Sequence, residues 1–411
     1  MIRFLPSQLN GTLQAPASKD HAQRLLFAAA MPPTPTVVKN IPDCDDIRTT
    51  MDCLEAFGCR IVKNEAGDEA VIDPFAKNVP VPTANFDFKK SATTSRIAIA
   101  IAAALGFKSD CMAAPGLSKR LLVPLTSRMA LRGIKLSSFS LPLSFSGRLA
   151  PGEFQFDGAQ DAQYVSAMLM ALPVLAGDSN LVINTELSDY ALVEETLSVL
   201  ALFKVEIKKT EKGFFIKGRQ QYTSPEVVTA DNDWALSSLW IAAGAAGRSS
   251  VKVEGLQVSS PQKYRNIMGA LSMLAQDFES VSLDASGCPE LATLFAALAA
   301  VKGACFDITG IPQLRYMESD RLKTIAECVK TLGGSAEYTE DGITVTGSGS
   351  GFAGDTVLDC KDDPWVFMSF ALASAVLGKP LTLSDESCAD KIYKNFLSDF
   401  TRHGGQYENV I

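Results

Sequence analysis

The chain has 411 residues, of which 47% are hydrophobic and 20% charged, and its formal net charge is −8. This length suffices for two domains that each bury a core, and the composition is that of a globular chain rather than a disordered one. The acidic excess argues against general binding to nucleic acid or to an anionic membrane surface. Anionic ligands would therefore require cations gathered locally.

The sequence shows no sign of export, membrane insertion or a metal centre. Its N-terminus lacks a basic, apolar and cleavable signal pattern, and the longest apolar run, residues 97–107, is too short to span a bilayer. The nine cysteines form no CxxC pair, and His21 and His403 are the two histidines. We therefore expect free thiols in a reducing cytoplasm and no catalytic zinc site.

One pattern of helix, strand, turn and strand recurs along the chain. The clearest copies have their predicted helices at residues 47–58, 194–203 and 322–332, each followed by two short strands around a turn. Weaker copies end at Gly133 and near residues 273–283. Repeated units of one helix and a hairpin predict α/β domains with internal pseudo-symmetry.

Basic residues recur at the predicted starts of helices. Glu318 and Arg321 stand where an extended segment gives way to a helix, with Ser319 or Asp320 as the N-cap. Such a helix start can bind an anion through its free N–H groups and its arginine, and an adjacent carboxylate can move a proton. Taken singly, each such stretch also fits a capped surface helix with solvated charges. Three other predicted helix starts share these features: residues 15–24, residues 89–96 and residues 117–124.

Eight motifs occur in the order and at the intervals of one protein family. They are Pro16-Ala-Ser-Lys19 with Arg24, Asp45-Asp46-Ile-Arg48, Leu117-Ser-Lys-Arg120, Asp157-Gly158 with Gln163, Asp233-Trp234, Cys288-Pro-Glu-Leu291, Leu314-Arg-Tyr-Met-Glu-Ser-Asp-Arg-Leu322 and Lys391-Ile-Tyr393. In these motifs, and nearly from end to end, the chain resembles the enolpyruvyl transferases, most closely those of the shikimate pathway.

The resemblance implies a two-domain fold. Each domain of this family contains three pseudo-symmetric βαββ-like units, and the ligands bind in a cleft between the domains. Carried onto this sequence, the family fold predicts a first domain of residues 1–16 plus 236–411 and a second of residues 17–235. The chain is expected to cross near residues 16–20 and 230–236.

The resemblance also implies a reaction in aromatic amino acid biosynthesis. Phosphoenolpyruvate adds to the 5-hydroxyl of shikimate 3-phosphate through a tetrahedral intermediate, and phosphate is then eliminated. No metal or organic cofactor is needed. Expected partners are these small anionic substrates alone, with no nucleic acid and no membrane, and the expected state is a cytoplasmic monomer.

Roles follow from the resemblance position by position. The implied catalytic residues are Lys19, Glu290 as proton acceptor, and Glu318 as proton donor or shuttle. The implied phosphoenolpyruvate-binding residues are Lys19, Lys90, Arg120, Gln163, Arg321 and Lys391. The implied acceptor-binding residues are Lys19, Asp20, Arg24, Asp161, Gln163, Glu290 and Gln313.

Several positions depart from the family pattern, mainly where it binds the acceptor's phosphate. Hydroxyl side chains and a lysine of the family are replaced here by Asp161, Ala162, Asp189 (or Ser188 in the alternative register) and Met317, and a phosphoenolpyruvate-side arginine is replaced by Trp365. A carboxylate about 4 Å from a phosphate charge costs roughly 1 kcal/mol in water and roughly 4 kcal/mol at an effective dielectric of 20. These changes predict weakened binding of the acceptor's phosphate.

Three interpretations therefore stay open at the level of sequence. The chain is a working shikimate-pathway synthase, a transferase that keeps phosphoenolpyruvate but takes a non-phosphorylated acceptor, or a non-catalytic binding homologue. The sibling enzyme that acts on UDP-N-acetylglucosamine is disfavoured, because the position of its cysteine is Pro115 in this chain.

Overall fold

The computed structural model describes residues 1–74, 82–158, 162–185, 187, 190–247, 250–260, 279–348 and 356–410. The chain divides into two compact units. The terminal unit comprises Met1–Pro16, Asn232–Val258 and the described residues of Gln262–Ile411. The central unit comprises Ala17–Asp231 and the short segment Ser259–Pro261.

Strands and helices alternate along both units. The strands are β1 (Ile2–Leu5), β2 (Asn10–Gln14), β3 (Thr36–Lys39), β4 (Arg60–Lys63), β5 (Glu69–Asp73), β6 (Thr83–Asp87), β7 (Lys108–Met112), β8 (Lys135–Leu136), β9 (Leu143–Ser146), β10 (Glu153–Phe156), β11 (Ser179–Ile183), β12 (Ile207–Thr210), β13 (Gly213–Ile216), β14 (Val227–Thr229), β15 (Ser250–Glu254), β16 (Ser280–Asp284), β17 (Cys305–Thr309), β18 (Ser335–Tyr338), β19 (Ile343–Thr346), β20 (Val357–Leu358), β21 (Leu381–Leu383) and β22 (Gln406–Asn409). The α-helices are α1 (Lys19–Ala29), α2 (Asp45–Ala56), α3 (Ala92–Leu105), α4 (Pro115–Ser118), α5 (Val123–Leu131), α6 (Ala162–Ala171), α7 (Tyr190–Leu202), α8 (Trp234–Ala246), α9 (Ala292–Lys302), α10 (Arg321–Thr331), α11 (Pro364–Val376) and α12 (Phe396–Arg402).

One sheet topology repeats in both units. In each four-stranded sheet, the first strand pairs in parallel with the second, and the other two pairings are antiparallel. The central unit contains the orders β14-β3-β5-β4, β6-β7-β9-β8 and β10-β11-β13-β12, and the terminal unit contains β16-β17-β19-β18, β20-β21-β1-β22 and the pair β15-β2. The α/β fold predicted from repeated helix-and-hairpin units is confirmed.

Each unit has its own apolar core, built on helices that are apolar on nearly every side. In the central unit α3 packs against α6, and in the terminal unit α9 packs against α11. Alanines in these helices allow close approach, while Phe295 and Phe367 fill the space between layers and are fully buried. Full burial of one such side chain stabilises the fold by about 1.5–3 kcal/mol. None of the described helices is both long and apolar enough to cross a membrane.

Apart from the short segment Ser259–Pro261, the chain passes from one unit to the other twice. Each time, the boundary falls between a strand, which belongs to one unit, and the next helix, which belongs to the other. Strand β2 precedes α1 but pairs in parallel with β15 in the terminal unit. Strand β14 precedes α8 but pairs in parallel with β3 in the central unit. The helix starts that follow are capped by Ser18, which accepts from the His21 amide, and by Asp233, which accepts from the Leu236 amide. The passages therefore lead directly into fixed helix N-termini.

Candidate active site

The start of α10 in the terminal unit holds three charged side chains together. Arg321 Nη2 donates to Glu318 Oε2 at 2.7 Å, and Lys391 Nζ donates to Glu318 Oε1 at 2.9 Å. The Arg321 side chain is 1% exposed, that of Lys391 8%, and that of Glu318 17%. Glu318 is thus a mostly buried carboxylate with a cation on each oxygen, an arrangement that stabilises its ionised form and fixes the positions of both oxygens.

A fourth residue, Asp363, fixes this group from the start of α11. Its Oδ2 accepts from Arg321 Nε at 2.9 Å and from the Ser319 hydroxyl at 3.0 Å. Its Oδ1 accepts from the amides of Trp365 and Val366 and so caps the helix. One fully buried carboxylate therefore ties the beginnings of two helices to the same guanidinium. We call Glu318, Arg321, Asp363 and Lys391 the terminal cluster.

The neighbouring carboxylates keep the Arg321 guanidinium protonated. Burial acts to lower the pKa of Arg321, but Asp363, Glu318 and, more weakly, Glu290 oppose it, and the net pKa is raised. The guanidinium therefore stays charged throughout the working pH range. Glu290 is the weakest of the three carboxylates that raise the pKa of Arg321.

The remaining predicted residues of the terminal unit occupy short 3-10 segments and helix ends. Glu290 is in the segment Pro289–Leu291 and is half-buried. Gln313, also half-buried, is in the segment Pro312–Tyr316. Met317 and Trp365, two of the altered positions, are partly buried and pack against the apolar core of the terminal unit. Trp365 therefore supplies apolar contact at the position where the resemblance implies an arginine.

A second group of charges surrounds Lys19 at the start of α1 in the central unit. Lys19 Nζ lies 3.0 Å from Asp20 Oδ1 and 3.4 Å from Asp46 Oδ2 at the start of α2. Burial acts to lower the pKa of Lys19, but Asp20 and Asp46 outweigh it and raise the pKa well above its usual value. Lys19 is consequently a firmly protonated ammonium, suited to binding an anion rather than to acting as a base.

Arg24, one turn further along α1, has no exposed surface. Its Nε donates to the Thr196 hydroxyl at 2.8 Å, and its Nη1 donates to the Asp20 carbonyl at 2.7 Å. Nη1 also lies 3.6 Å from Glu195 Oε2. We call Lys19, Asp20, Asp46 and Arg24 the central cluster. Glu195 and Thr196 are its supports on α7.

The other predicted phosphoenolpyruvate residues of the central unit lie on three further helix starts. Gln163, in the first turn of α6, accepts from Arg96 Nη1 at 2.8 Å. Arg120 follows the short helix α4 and is half-buried, and Lys90 is exposed in the turn before α3. Arg96 is itself buried and stacks over the Tyr164 ring.

Two of the altered acceptor positions, Asp161 and Asp189, lie outside the described residues, as does the alternative Ser188. Ala162 is described: it is buried at the first position of α6, directly before Gln163. An alanine at this position offers no hydroxyl to a ligand.

Sequence reasoning missed four residues that contact the predicted ones: Asp363, Glu195, Thr196 and Arg96. Asp363 had a usable signal, because an aspartate directly before proline and an apolar run is a typical N-cap. Arg96 lies in the predicted helix start of residues 89–96. Glu195 had no usable signal in the sequence, because a glutamate in a helix is usually exposed to solvent. The other buried positions of this helix are Val193, Thr196, Val199 and Leu200.

Solved structures with the same fold define the class. The EPSP synthase of Acinetobacter baumannii superposes with a TM-score of 0.78 and 19% identity, covering 100% of both chains. The enolpyruvyl transferase NikO of Streptomyces tendae superposes with a TM-score of 0.75 and 15% identity, covering 100% of this chain and 98% of NikO. The fold is that of the enolpyruvyl transferases.

Sequence comparison narrows the class to one family. The chain is 30% identical to the 3-phosphoshikimate 1-carboxyvinyltransferase of Clostridium novyi (strain NT), over 98% of this chain and 97% of the relative. The sequence profile of EPSP synthase (3-phosphoshikimate 1-carboxyvinyltransferase) matches residues 5–400. The chain belongs to the EPSP synthase family, and the resemblance found in its motifs is confirmed.

Proposed function

We propose that this protein transfers the enolpyruvyl group of phosphoenolpyruvate to the 5-hydroxyl of shikimate 3-phosphate and releases phosphate. Family membership over nearly the whole chain supports this activity. The observation that carries it furthest is Glu318 held between Arg321 and Lys391. No comparison favours a different acceptor or a non-catalytic role.

The proposed reaction has two proton transfers, and the clusters supply groups for both. In the addition, carbon 3 of phosphoenolpyruvate gains a proton from Glu318 while the acceptor hydroxyl bonds to carbon 2 and gives up its proton to Glu290. In the elimination, carbon 3 returns a proton to the Glu318 carboxylate, the bond from carbon 2 to the phosphate oxygen breaks, and the double bond between carbons 2 and 3 is restored. The departing phosphate takes up the proton that Glu290 received in the addition. Lys391 and Arg321 stabilise the carboxylate form of Glu318 between these steps.

Cationic side chains of both units are proposed to offset the electrostatic repulsion between the two anionic substrates. Lys19, Arg120, Arg321 and Lys391 are proposed to bind the phosphate and carboxylate groups of phosphoenolpyruvate, and Arg24 the carboxylate of the acceptor. Gln163, Lys90 and Gln313 are proposed as additional polar contacts. No metal or organic cofactor enters the proposal.

Cytoplasmic location and a monomeric state belong to the same proposal. All nine cysteines lie among the described residues and none of them forms a disulfide there, which fits a reducing compartment.

The decisive experiment measures phosphate release with both substrates, with each alone and with neither. We expect release only when phosphoenolpyruvate and shikimate 3-phosphate are both present. Glu318→Gln should lower kcat by about a hundredfold or more, the range typical of losing a general acid. Glu327→Gln, at an exposed position of α10, the helix that follows Glu318, is the matched control and should leave kcat unchanged. Absence of release by the unaltered protein would overturn the proposed activity.

Arg120 tests the phosphoenolpyruvate half of the proposal separately. Arg120→Ala should weaken phosphoenolpyruvate binding by about 2–3 kcal/mol, because it removes a charge-assisted pair. Isothermal calorimetry gives the dissociation constant directly. Lys119→Ala, at the exposed neighbouring position, serves as the control. An unchanged constant for Arg120→Ala would exclude Arg120 from the phosphoenolpyruvate site.

A further inference from the structure

The hydrogen-bonding capacity of Arg24 is largely used by the chain itself. Its Nε and Nη1 donate to Thr196 and to the Asp20 carbonyl, and Nη1 faces the Glu195 carboxylate. Nη2 is buried and has no hydrogen-bond partner among the described residues. A guanidinium normally binds a carboxylate through two parallel N–H groups. Here a single nitrogen remains uncommitted.

Glu195 is an unusual residue for its position. It is 4% exposed and is one of the buried residues of α7, as are Thr196 and Val199. A buried carboxylate is costly unless it is paired, and Arg24 provides a positive charge 3.6 Å away. The preceding residue, Glu194, is exposed. The two glutamates therefore provide a buried and a solvated carboxylate on adjacent positions of one helix.

This pairing has a consequence for any anion that binds Arg24. An incoming carboxylate would share the guanidinium with Glu195, and like charges at short range in a region of low dielectric repel strongly. It would also have to bind through Nη2, without the second N–H group that makes an arginine–carboxylate pair bidentate. Both effects weaken the binding of a ligand carboxylate to Arg24 more than they weaken the binding of a neutral hydrogen-bond acceptor of the same shape.

We propose that Glu195 is a specificity-determining residue of the acceptor site, which lowers the affinity of Arg24 for the acceptor's carboxylate and reduces discrimination against a neutral group at that position. This inference rests on the proposed function for the identity of the acceptor. It differs from a purely structural role, in which Glu195 neutralises a buried arginine and leaves ligand affinity untouched.

The test compares Glu195→Gln with Glu194→Gln in the full-length protein. Calorimetry with shikimate 3-phosphate, and with its carboxamide analogue, measures binding without requiring turnover. Glu195→Gln should bind shikimate 3-phosphate at least tenfold more tightly and change the affinity for the carboxamide much less. The KM for phosphoenolpyruvate should not change. Glu194→Gln should match the unaltered protein in every measurement.

The outcomes separate this inference from the proposed function. Unchanged or weaker binding of shikimate 3-phosphate by folded Glu195→Gln, or an equal gain for both ligands, would overturn the role of Glu195 even if turnover occurs. If Glu195→Gln binds shikimate 3-phosphate selectively more tightly and the unaltered protein releases no phosphate, the role of Glu195 is supported and the proposed turnover is contradicted. If Glu195→Gln does not fold, the same binding measurements are made with Glu195→Asp. Its shorter side chain withdraws the carboxylate from Nη1, so it should give a smaller gain in the same direction, and no gain would overturn the inference.

Discussion

Asp363 connects more of the site than any other single side chain of the terminal cluster. It has no exposed surface, and its two oxygens accept from Arg321, from Ser319 and from two amides of α11. Ser319 in turn accepts from the Thr324 hydroxyl at 3.0 Å. Arg321 therefore presents a fixed edge to Glu318, which holds that carboxylate in place for Lys391. We infer that Asp363 acts on catalysis by positioning these groups.

Substitution of Asp363 should separate its charge from its capping role. Asp363→Ala deprives the buried Arg321 of one of its two carboxylate partners and α11 of its cap, so we expect about 3–5 kcal/mol of lost unfolding free energy, measured by urea denaturation. Asp363→Asn keeps an oxygen to cap α11 and should lose less stability but still lower kcat. Asp362→Asn, at the exposed neighbouring position, is the control. A fully active Asp363→Asn would refute the positioning role.

The altered acceptor positions make a second prediction at this scale. Ala162 offers no hydroxyl at the first turn of α6, Met317 packs against apolar side chains, and position 161 carries an aspartate. We expect shikimate 3-phosphate to bind at least about a hundredfold more weakly than to a synthase with serines and a lysine at these positions. That factor corresponds to about 2.7 kcal/mol.

Asp161→Ser, Ala162→Ser and Met317→Lys together should restore tight binding in calorimetry, while affinity for phosphoenolpyruvate stays unchanged. The three substitutions act on one phosphate and need not contribute additively. Micromolar binding by the unaltered protein would contradict the argument from these positions.

Local contacts of the site could be predicted from the sequence, and distant ones could not. Glu318 and Arg321 are one helical turn apart, so the helix start alone brings them together. Asp363 reaches Arg321 across 42 residues, and Thr196 reaches Arg24 across 172. Periodicity and capping rules describe neighbours along the chain and carry no information about such distant pairs. The family resemblance supplied the predicted site residues but not these partners.

At the scale of elements, the start of α1 is fixed by contacts with the segment after β14. Ser18 N donates to the Asp231 carbonyl at 2.8 Å, and Asp231 N donates to His21 Nδ1 at 2.8 Å. His21 must therefore be neutral at Nδ1 to accept this bond. Burial lowers the pKa of His21 to about 4, with Asp231 opposing and Arg24 adding to the decrease. Helix capping was predictable here, whereas the pairing of residues 18–21 with Asp231 depends on the fold.

The pKa of His21 predicts a stability change with pH. In the unfolded chain a histidine protonates near pH 6.5, so between about pH 6.5 and 4 the unfolded state binds more protons than the folded state. Stability should therefore fall as pH decreases through this window, by up to about 3 kcal/mol from this residue.

His21→Asn keeps a hydrogen-bond acceptor and removes the titration. Urea unfolding at several pH values should show a correspondingly shallower loss for the variant. His403 is retained in both proteins, so the difference between the two curves isolates His21. Parallel curves would show that His21 does not titrate in this range.

At the scale of the whole molecule, the two units differ in how continuous they are along the chain. The central unit is almost one uninterrupted segment, Ala17–Asp231, whereas the terminal unit is assembled from separated segments. We propose that the two units are the family's two domains. The repeated sheets follow from a pattern visible in the sequence, but the exchange of β2 and β14 between units follows only from strand pairing.

A fragment of residues 17–231 should therefore fold by itself. We expect cooperative urea unfolding and native-like circular dichroism, because its three sheets and its apolar core come from its own residues. Deleting residues 1–16 from the full chain should spare this unit but unfold the terminal one, which loses the buried Ile2 and Phe4 of β1. Non-cooperative unfolding of the fragment would show that the central unit depends on the rest of the chain.

The position of β1 also affects folding during translation. Ile2 pairs with Leu383 on one side and with Asn409 on the other, so β1 is synthesised long before either of its partners. At roughly 5–20 residues per second, β1 waits on the order of 20–80 seconds for its partners. The central unit can form during this delay. Until β21 and β22 have been synthesised, the nascent chain carries β1 as an unpaired apolar strand, which makes this strand a natural binding segment for chaperones that act on nascent chains.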